Sequence, residues 1–261
     1  MRVTPTIVAF AAGLSFGSAA AHAACEAKSS DRLVALIELY TSEGCDSCPP
    51  ADRWLSGLGS ADASRGAIPI AFHVDYWDRL GWKDRFASAK FTERQQEQMR
   101  RQRSSFVFTP QVMLQGRDFA QWRASGEPAA AIASVNARRP RATIELGVEP
   151  QGANAIVDVH VKVPDARDRS HAVVAVALVQ DKLSSDVKAG ENAGKRLMHD
   201  HVVRQWRDGI ALDAQGELRQ RFQLPLPADA GPIEIVAFAE DAAGGDVLQA
   251  LALPLCARPS P

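Results

Sequence analysis

Leu33-Val34-Ala35-Leu36-Ile37-Glu38-Leu39-Tyr40, followed by Thr41-Ser42-Glu43-Gly44-Cys45-Asp46-Ser47-Cys48-Pro49-Pro50, decides how the rest of the chain is read. The first eight residues are an apolar run of strand length, the pattern of a buried strand. A short turn then brings in two cysteines separated by two residues, a spacing that can close a small disulfide or share one metal ion. Trp54, Leu55 and Leu58 follow at helical spacing. Proline is comfortable only in the first turn of a helix, so this helix begins near Cys48 or is distorted at Pro50. Cys45 then lies at or just before the helix N-terminus, where unpaired N–H groups favour a thiolate.

Working outward, Ile68, Ile70, Phe72, Val74 and Tyr76 alternate with other residues over Ala67–Trp77, a strand pattern, and Gly81-Trp82-Lys83-Asp84 to Arg103 reads as helical. Strand, helix, strand, helix indicates an α/β layer with a parallel pair, and chemistry gathers at the carboxyl ends of such strands. Asp75, Tyr76 and Trp77 are therefore expected near Cys45. Pro110 stands at the mouth of the apolar run Gln111–Leu114, and its pairing with a preceding C-x-x-C favours a cis Thr109–Pro110 bond. A helix over Ala129–Val135 ends at Arg138-Arg139-Pro140, where a boundary is expected. Beyond it, about seven short β-patterned runs separated by turn residues argue for a small β-sandwich or barrel.

Arg2, the apolar stretch Ile7–Gly17 and Ala21-His22-Ala23 form a secretory signal over residues 1–23. The apolar stretch is shorter than the roughly 20 residues a spanning helix needs, so no membrane span is expected once the signal is removed. All four cysteines survive that cleavage, in a compartment where disulfides persist. They permit three pairings; Cys45 with Cys48 is locally favoured, which leaves Cys25 with Cys256, two free thiols being the alternative. The 261 residues carry a net charge of −1, with 46% hydrophobic and 23% charged residues. That is an ordinary globular composition without the basic field that nucleic acid requires. No Gly-rich phosphate loop and no Gly-x-Ser-x-Gly element supports nucleotide use or serine hydrolysis.

Glu38 to Asp52, His73-Val74-Asp75-Tyr76-Trp77-Asp78 with Gly81-Trp82-Lys83-Asp84, and Thr109-Pro110-Gln111 resemble one secreted family, catalogued as domain of unknown function 1223. So does Glu191-Asn192-Ala193-Gly194-Lys195-Arg196-Leu197 with His199-Asp200 and Val202-Val203-Arg204. The resemblance implies an α/β thioredoxin-like domain over residues 24–140, followed by an all-β sandwich-like domain over 141–261. It also implies that Pro110 sits beside the cysteine pair and that the Thr109 backbone can bind a substrate segment like an added strand. Glu38 falls near the place where thioredoxins carry a buried acid that moves a proton to or from the resolving thiol. The chain departs from ordinary thioredoxins in its Asp46-Ser47 dipeptide, in lacking a Trp before Cys45, and in the longer separation of Cys45 from Pro110.

The expected activity is thiol–disulfide exchange with a protein or small-molecule thiol or disulfide, without a cofactor. Cys45 attacks and Cys48 resolves the mixed disulfide. Thr109, Asp75 and Trp77 are the expected substrate contacts. The negative charge of Asp46, taken alone, opposes the Cys45 thiolate and implies a weaker oxidant than the strongly oxidising periplasmic enzymes. Two other readings stand beside this one. A periplasmic copper or zinc protein, or metallochaperone, would use Cys45, Cys48 and His73. A non-catalytic binding module would use the fold alone. His199 and His201, two apart, can face one side of a strand, but read as surface or packing residues.

Overall fold

The computed structural model describes residues 25–59, 66–104 and 106–256; the expected signal segment lies outside them. The first half contains β1 (Cys25–Lys28), β2 (Ala35–Thr41), α1 (Pro49–Ser56), β3 (Ala67–His73), α2 (Ala89–Arg101), β4 (Gln111–Leu114), β5 (Arg117–Asp118) and α3 (Glu127–Asn136). The second half adds β6 (Thr143–Gln151), β7 (Asn154–Lys162), the short α4 (Ala166–Arg169), β8 (Ala172–Gln180), β9 (Leu183–Asp186) and β10 (Arg196–His199). It ends with β11 (Val202–Ala211), β12 (Glu217–Pro225), β13 (Ile233–Asp241) and β14 (Val247–Pro254).

Eight of these strands form one mixed sheet in the order β14-β13-β8-β11-β3-β2-β4-β5. β2 and β3 run parallel over their whole length, from Ala35 opposite Ala67 to Thr41 opposite His73. β11 joins β3 in parallel where Val202 faces Ala71, and the Ala71 amide donates to the His201 carbonyl at 2.8 Å. From β11 outward, β8, β13 and β14 pair antiparallel. A second sheet, β1-β6-β7-β12, packs through the core of Ile144, Val157, Val174 and Leu178.

This arrangement overturns the expectation of an α/β thioredoxin-like domain followed by an all-β sandwich-like domain. The chain is mostly β-sheet, and its largest sheet takes strands from both sides of Pro140. The physical reason lies in β8 and β13. A sandwich strand with one wet face alternates apolar and polar residues, as β6 and β7 do. β8 is instead apolar on both faces: Val174, Val176 and Leu178 face the second sheet, while Ala175, Ala177 and Val179 belong to the core that also holds Leu36, Tyr40 and Phe72. A strand with two dry faces needs cover on both, and joining the N-terminal strands in one sheet gives it that cover.

The large sheet therefore has two packed faces. One carries α2, with Phe91 and Met99 packed against Phe72, Trp206 and Phe238. The other carries α1 and α3 over Ile37, Leu39 and Ala71, with the second sheet over the C-terminal strands. Because side chains alternate along a strand, Leu36, Glu38 and Tyr40 of β2 face α2. Ala35, Ile37 and Leu39 face α1 and α3.

Inside the α2 face lies an ionic network. The Arg94 guanidinium donates to Glu38 at 2.8 and 3.1 Å and to Glu240 at 3.0 and 3.3 Å, and Arg101 adds a bond to Glu240 at 3.2 Å. It stands over the Trp206 ring at 5.0 Å and the Phe238 ring at 5.3 Å. Burial would lower the Arg94 pKa, but Glu240 and Glu38 hold it above its ordinary value. Burial, with the Glu38 charge, raises the Tyr40 phenol well above its ordinary range. Arg94 thus ties β2 to β13, elements about two hundred residues apart in sequence.

Candidate functional site

Cys45 and Cys48 form a disulfide with Cα atoms 5.5 Å apart, and Cys25 is joined to Cys256 across 5.9 Å. Cys48 is the N-cap of α1 and its carbonyl accepts from the amides of Ala51 and Asp52. Pro49 and Pro50 occupy the first turn, where a missing N–H costs nothing. Cys45 lies three residues before this cap, on a loop whose amide donates to the Ser42 carbonyl. Both cysteines are fully buried, whereas Asp46 and Ser47 are exposed. The Ser47 hydroxyl stands 3.4 Å from the Cys45 sulfur.

The Thr109–Pro110 bond is cis. A groove of about 380 Å³ runs beside it, lined by Ser47, Phe108, Thr109, Pro110, Trp122 and Arg123 among others. Trp77 joins the two loops: its indole N–H donates to the Thr109 hydroxyl at 2.8 Å, and its Cβ lies against Gly44. Cys45, Cys48, Thr109, Pro110 and Trp77 are therefore brought together. Asp75, two residues before Trp77, accepts through one carboxylate oxygen from Thr92 of α2 at 2.6 Å. Glu38 lies on the opposite sheet face, held by Arg94 as described above.

Behind the cysteines the structure assembles a buried polar cluster. His73, at the end of β3, bonds Asp84 through Nδ1 at 2.6 Å, and Asp84 also accepts from the amides of Glu43 and Phe86 at 2.9 Å. His199 of β10 meets the His73 ring edge-on at 4.9 Å between centroids, and its Nε2 stands 3.3 Å from Glu43. The other Glu43 oxygen accepts from Trp82 at 2.7 Å. Asp52, one turn into α1, accepts from the Thr41 hydroxyl at 2.8 Å. His73 Nε2, both His199 ring nitrogens and Glu43 Oε1 make no hydrogen bond.

The electrostatics follow from this packing. Burial raises the Asp52 carboxyl, and the nearby His199 and His73 only partly oppose it. Burial alone would depress His73, but the carboxylates of Asp84, Asp52 and Glu43 lift it above its ordinary value. Burial would raise Asp84, but its contact with His73 holds it below the usual carboxylate range. Among the described residues, no group of three or more His, Cys, Asp or Glu is arranged to hold a metal ion. His73 engages Asp84 through Nδ1.

The β9–β10 hairpin closes the site from above. Its tip is pinned where the Val187 amide donates to the Lys195 carbonyl at 2.9 Å. Asn192, fully buried, donates to the carbonyls of Glu43 at 2.9 Å and Cys45 at 2.8 Å, while Glu191 accepts from the Asp46 amide at 3.0 Å. Gly190 allows the turn: its φ of +75° is one that glycine adopts without strain. The sequence reading placed none of Asp52, Asn192 or His199 in the site. His199 turns inward to Glu43 and His201 to Asp181, so the two do not share a ligand set. The inward placement of His199 comes from a hairpin laid across α1, which local pattern does not encode.

Two solved structures share this fold. The crystal structure of protein AGR_C_4864 from Agrobacterium tumefaciens is 23% identical with a TM-score of 0.60, over 86% of this chain and 96% of that one. HBP35 of Porphyromonas gingivalis is 13% identical with a TM-score of 0.61, over 87% of this chain and 76% of that one. At these identities the likeness is one of fold alone. No curated protein matches the chain. The family model described as protein of unknown function (DUF1223) matches residues 36–239, which takes in the cysteine loop, the cis-proline loop and the β9–β10 hairpin, and the chain belongs to that family.

Proposed function

We propose that this protein is an exported thiol–disulfide exchange protein, working through Cys45 and Cys48. The observation that carries the reading is the closed Cys45–Cys48 pair at the N-terminus of α1, with Thr109 and Pro110 across a groove from Ser47. A thiolate attacking Cys45 breaks the pair and forms a mixed disulfide, which the Cys48 thiol then resolves. The helix N-terminus favours negative charge on the sulfur that is released. Thr109 offers backbone groups to an extended substrate segment, and the aromatic rings of Phe108 and Trp122 line the groove. Because Cys45 is buried, attack requires the loop held by Glu191 and Asn192 to open locally. Export fits the Cys25–Cys256 bridge, which persists in an oxidising compartment.

The reading is tested by turnover. With glutathione as electron source and a disulfide-bonded polypeptide as substrate, the protein should accelerate disulfide cleavage well above the uncatalysed rate. A rate equal to that of a protein lacking a C-x-x-C pair would refute it.

A further inference from the structure

Breaking the Cys45–Cys48 bond leaves two sulfurs that must share protons, yet both cysteines are shut off from solvent. A thiolate released in a dry site is costly unless a neighbour neutralises it. A protein carboxyl close by supplies that proton without waiting for solvent to enter. Glu38 does not serve, since its carboxylate faces α2 and is held by Arg94 at 2.8 and 3.1 Å.

Asp52 is placed for it. Its amide donates to the Cys48 carbonyl at 3.1 Å, the bond that makes the two residues neighbours one helical turn apart. Cys48 itself has helical backbone angles, so the Cys48 and Asp52 side chains lie on one face of α1. Cβ atoms at that spacing are about 5–6 Å apart, within reach of a carboxyl and a thiol through small side-chain movements. Both residues are buried. Groups from four other parts of the fold bear on its charge: Thr41 from β2, His73 from β3, His199 from β10, and Asp84 from the segment before α2. Glu43 adds a further carboxylate beside His199.

We propose that Asp52 gives and takes the proton of the Cys48 thiol. The inference rests on the exchange reading above. In the reductive direction, a substrate thiolate bonds to the Cys45 sulfur and the Cys45–Cys48 bond breaks. Its electron pair passes to Cys48, and the Asp52 carboxyl transfers its proton to that sulfur and becomes a carboxylate. In the resolving direction the Asp52 carboxylate removes the Cys48 proton as the sulfur attacks Cys45. The substrate leaves as a thiolate with the electron pair of the mixed disulfide. Atoms and electrons balance with only the partner thiol or disulfide as co-reactant.

The test is the release of glutathione from a preformed Cys45–glutathione mixed disulfide, followed by stopped flow between about pH 5 and 8. In the wild-type protein the rate should rise as Asp52 ionises. Asp52→Asn, which keeps the size and can still accept from Thr41, should slow release by at least about tenfold and leave a profile that follows thiol ionisation alone. His199→Gln removes an electrostatic influence that lowers the Asp52 pKa, so the rise should move to higher pH. A second readout needs no variant: the carboxyl carbon resonance of Asp52 should titrate at different midpoints in the oxidised and reduced wild-type protein. If the wild type exchanges while Asp52→Asn keeps its rate and profile and the two midpoints coincide, this inference falls and the exchange reading stands. No exchange in the wild type overturns both.

Discussion

Arg94→Ala should lower the unfolding free energy by about 3–5 kcal/mol, the usual cost of removing one partner from a buried ion pair. The size of the effect follows from what is left behind. Glu240 retains Arg101 at 3.2 Å, but among the described residues Glu38 keeps only the Tyr40 hydroxyl at 3.0 Å. A carboxylate with no exposed surface and one neutral donor cannot stay charged without a large penalty. The cation also leaves the space between Trp206 and Phe238, which adds a packing loss. Adding Glu38→Gln to Arg94→Ala should recover part of that loss, because the stranded charge goes with it. Urea unfolding of the two variants checks this. A loss under about 1 kcal/mol would mean that the network is solvated and does not join β2 to β13.

The second large effect is on chemistry. Cys48→Ser should trap a stable mixed disulfide at Cys45 when the protein meets a disulfide-bearing partner, because the sulfur that would release the partner is gone. Cys45→Ser should form no such adduct and should have no turnover, since the proposed attack is at the Cys45 sulfur and Cys48, the N-cap of α1, only resolves it. Mass spectrometry of the trapped species distinguishes the sites. Adducts at Cys48 in the Cys45→Ser protein, at a comparable yield, would reverse the roles assigned to the two sulfurs. Neither substitution should disturb the Cys25–Cys256 bridge, which joins the two ends of the described chain.

Local chemistry was the legible part of this protein. Cysteine spacing, the two prolines and the X-Pro before Gln111–Leu114 each constrain a few adjacent residues, while the expectation that Thr109 and Pro110 stand beside Cys45 and Cys48 came from the family resemblance. The sheet could not. Val202 meets Ala71 across well over a hundred residues, and no short-range pattern specifies that pairing. One clue was present in Ala172–Gln180, whose apolar residues do not alternate; a strand of that kind asks for cover on both faces. Parity along β2 explains why Glu38 was hard to place. Alternation puts it with Leu36 and Tyr40, but which face receives α1 is decided by the packing of Ile37 and Leu39. His199 and Asn192 were hidden for a different reason. Each is polar and sits in a turn-rich segment, where exposure is the default, and only the β9–β10 hairpin folding over the cysteine loop buries them.

The most direct test of the central claim is a redox titration. The folded protein is equilibrated in buffers of varying glutathione to glutathione-disulfide ratio, quenched in acid, alkylated and mapped by mass spectrometry. The account predicts that Cys45 and Cys48 open and close reversibly as the ratio changes, while Cys25 and Cys256 remain joined throughout. A Cys45–Cys48 bond that stays closed at every ratio until denaturant is added would contradict it.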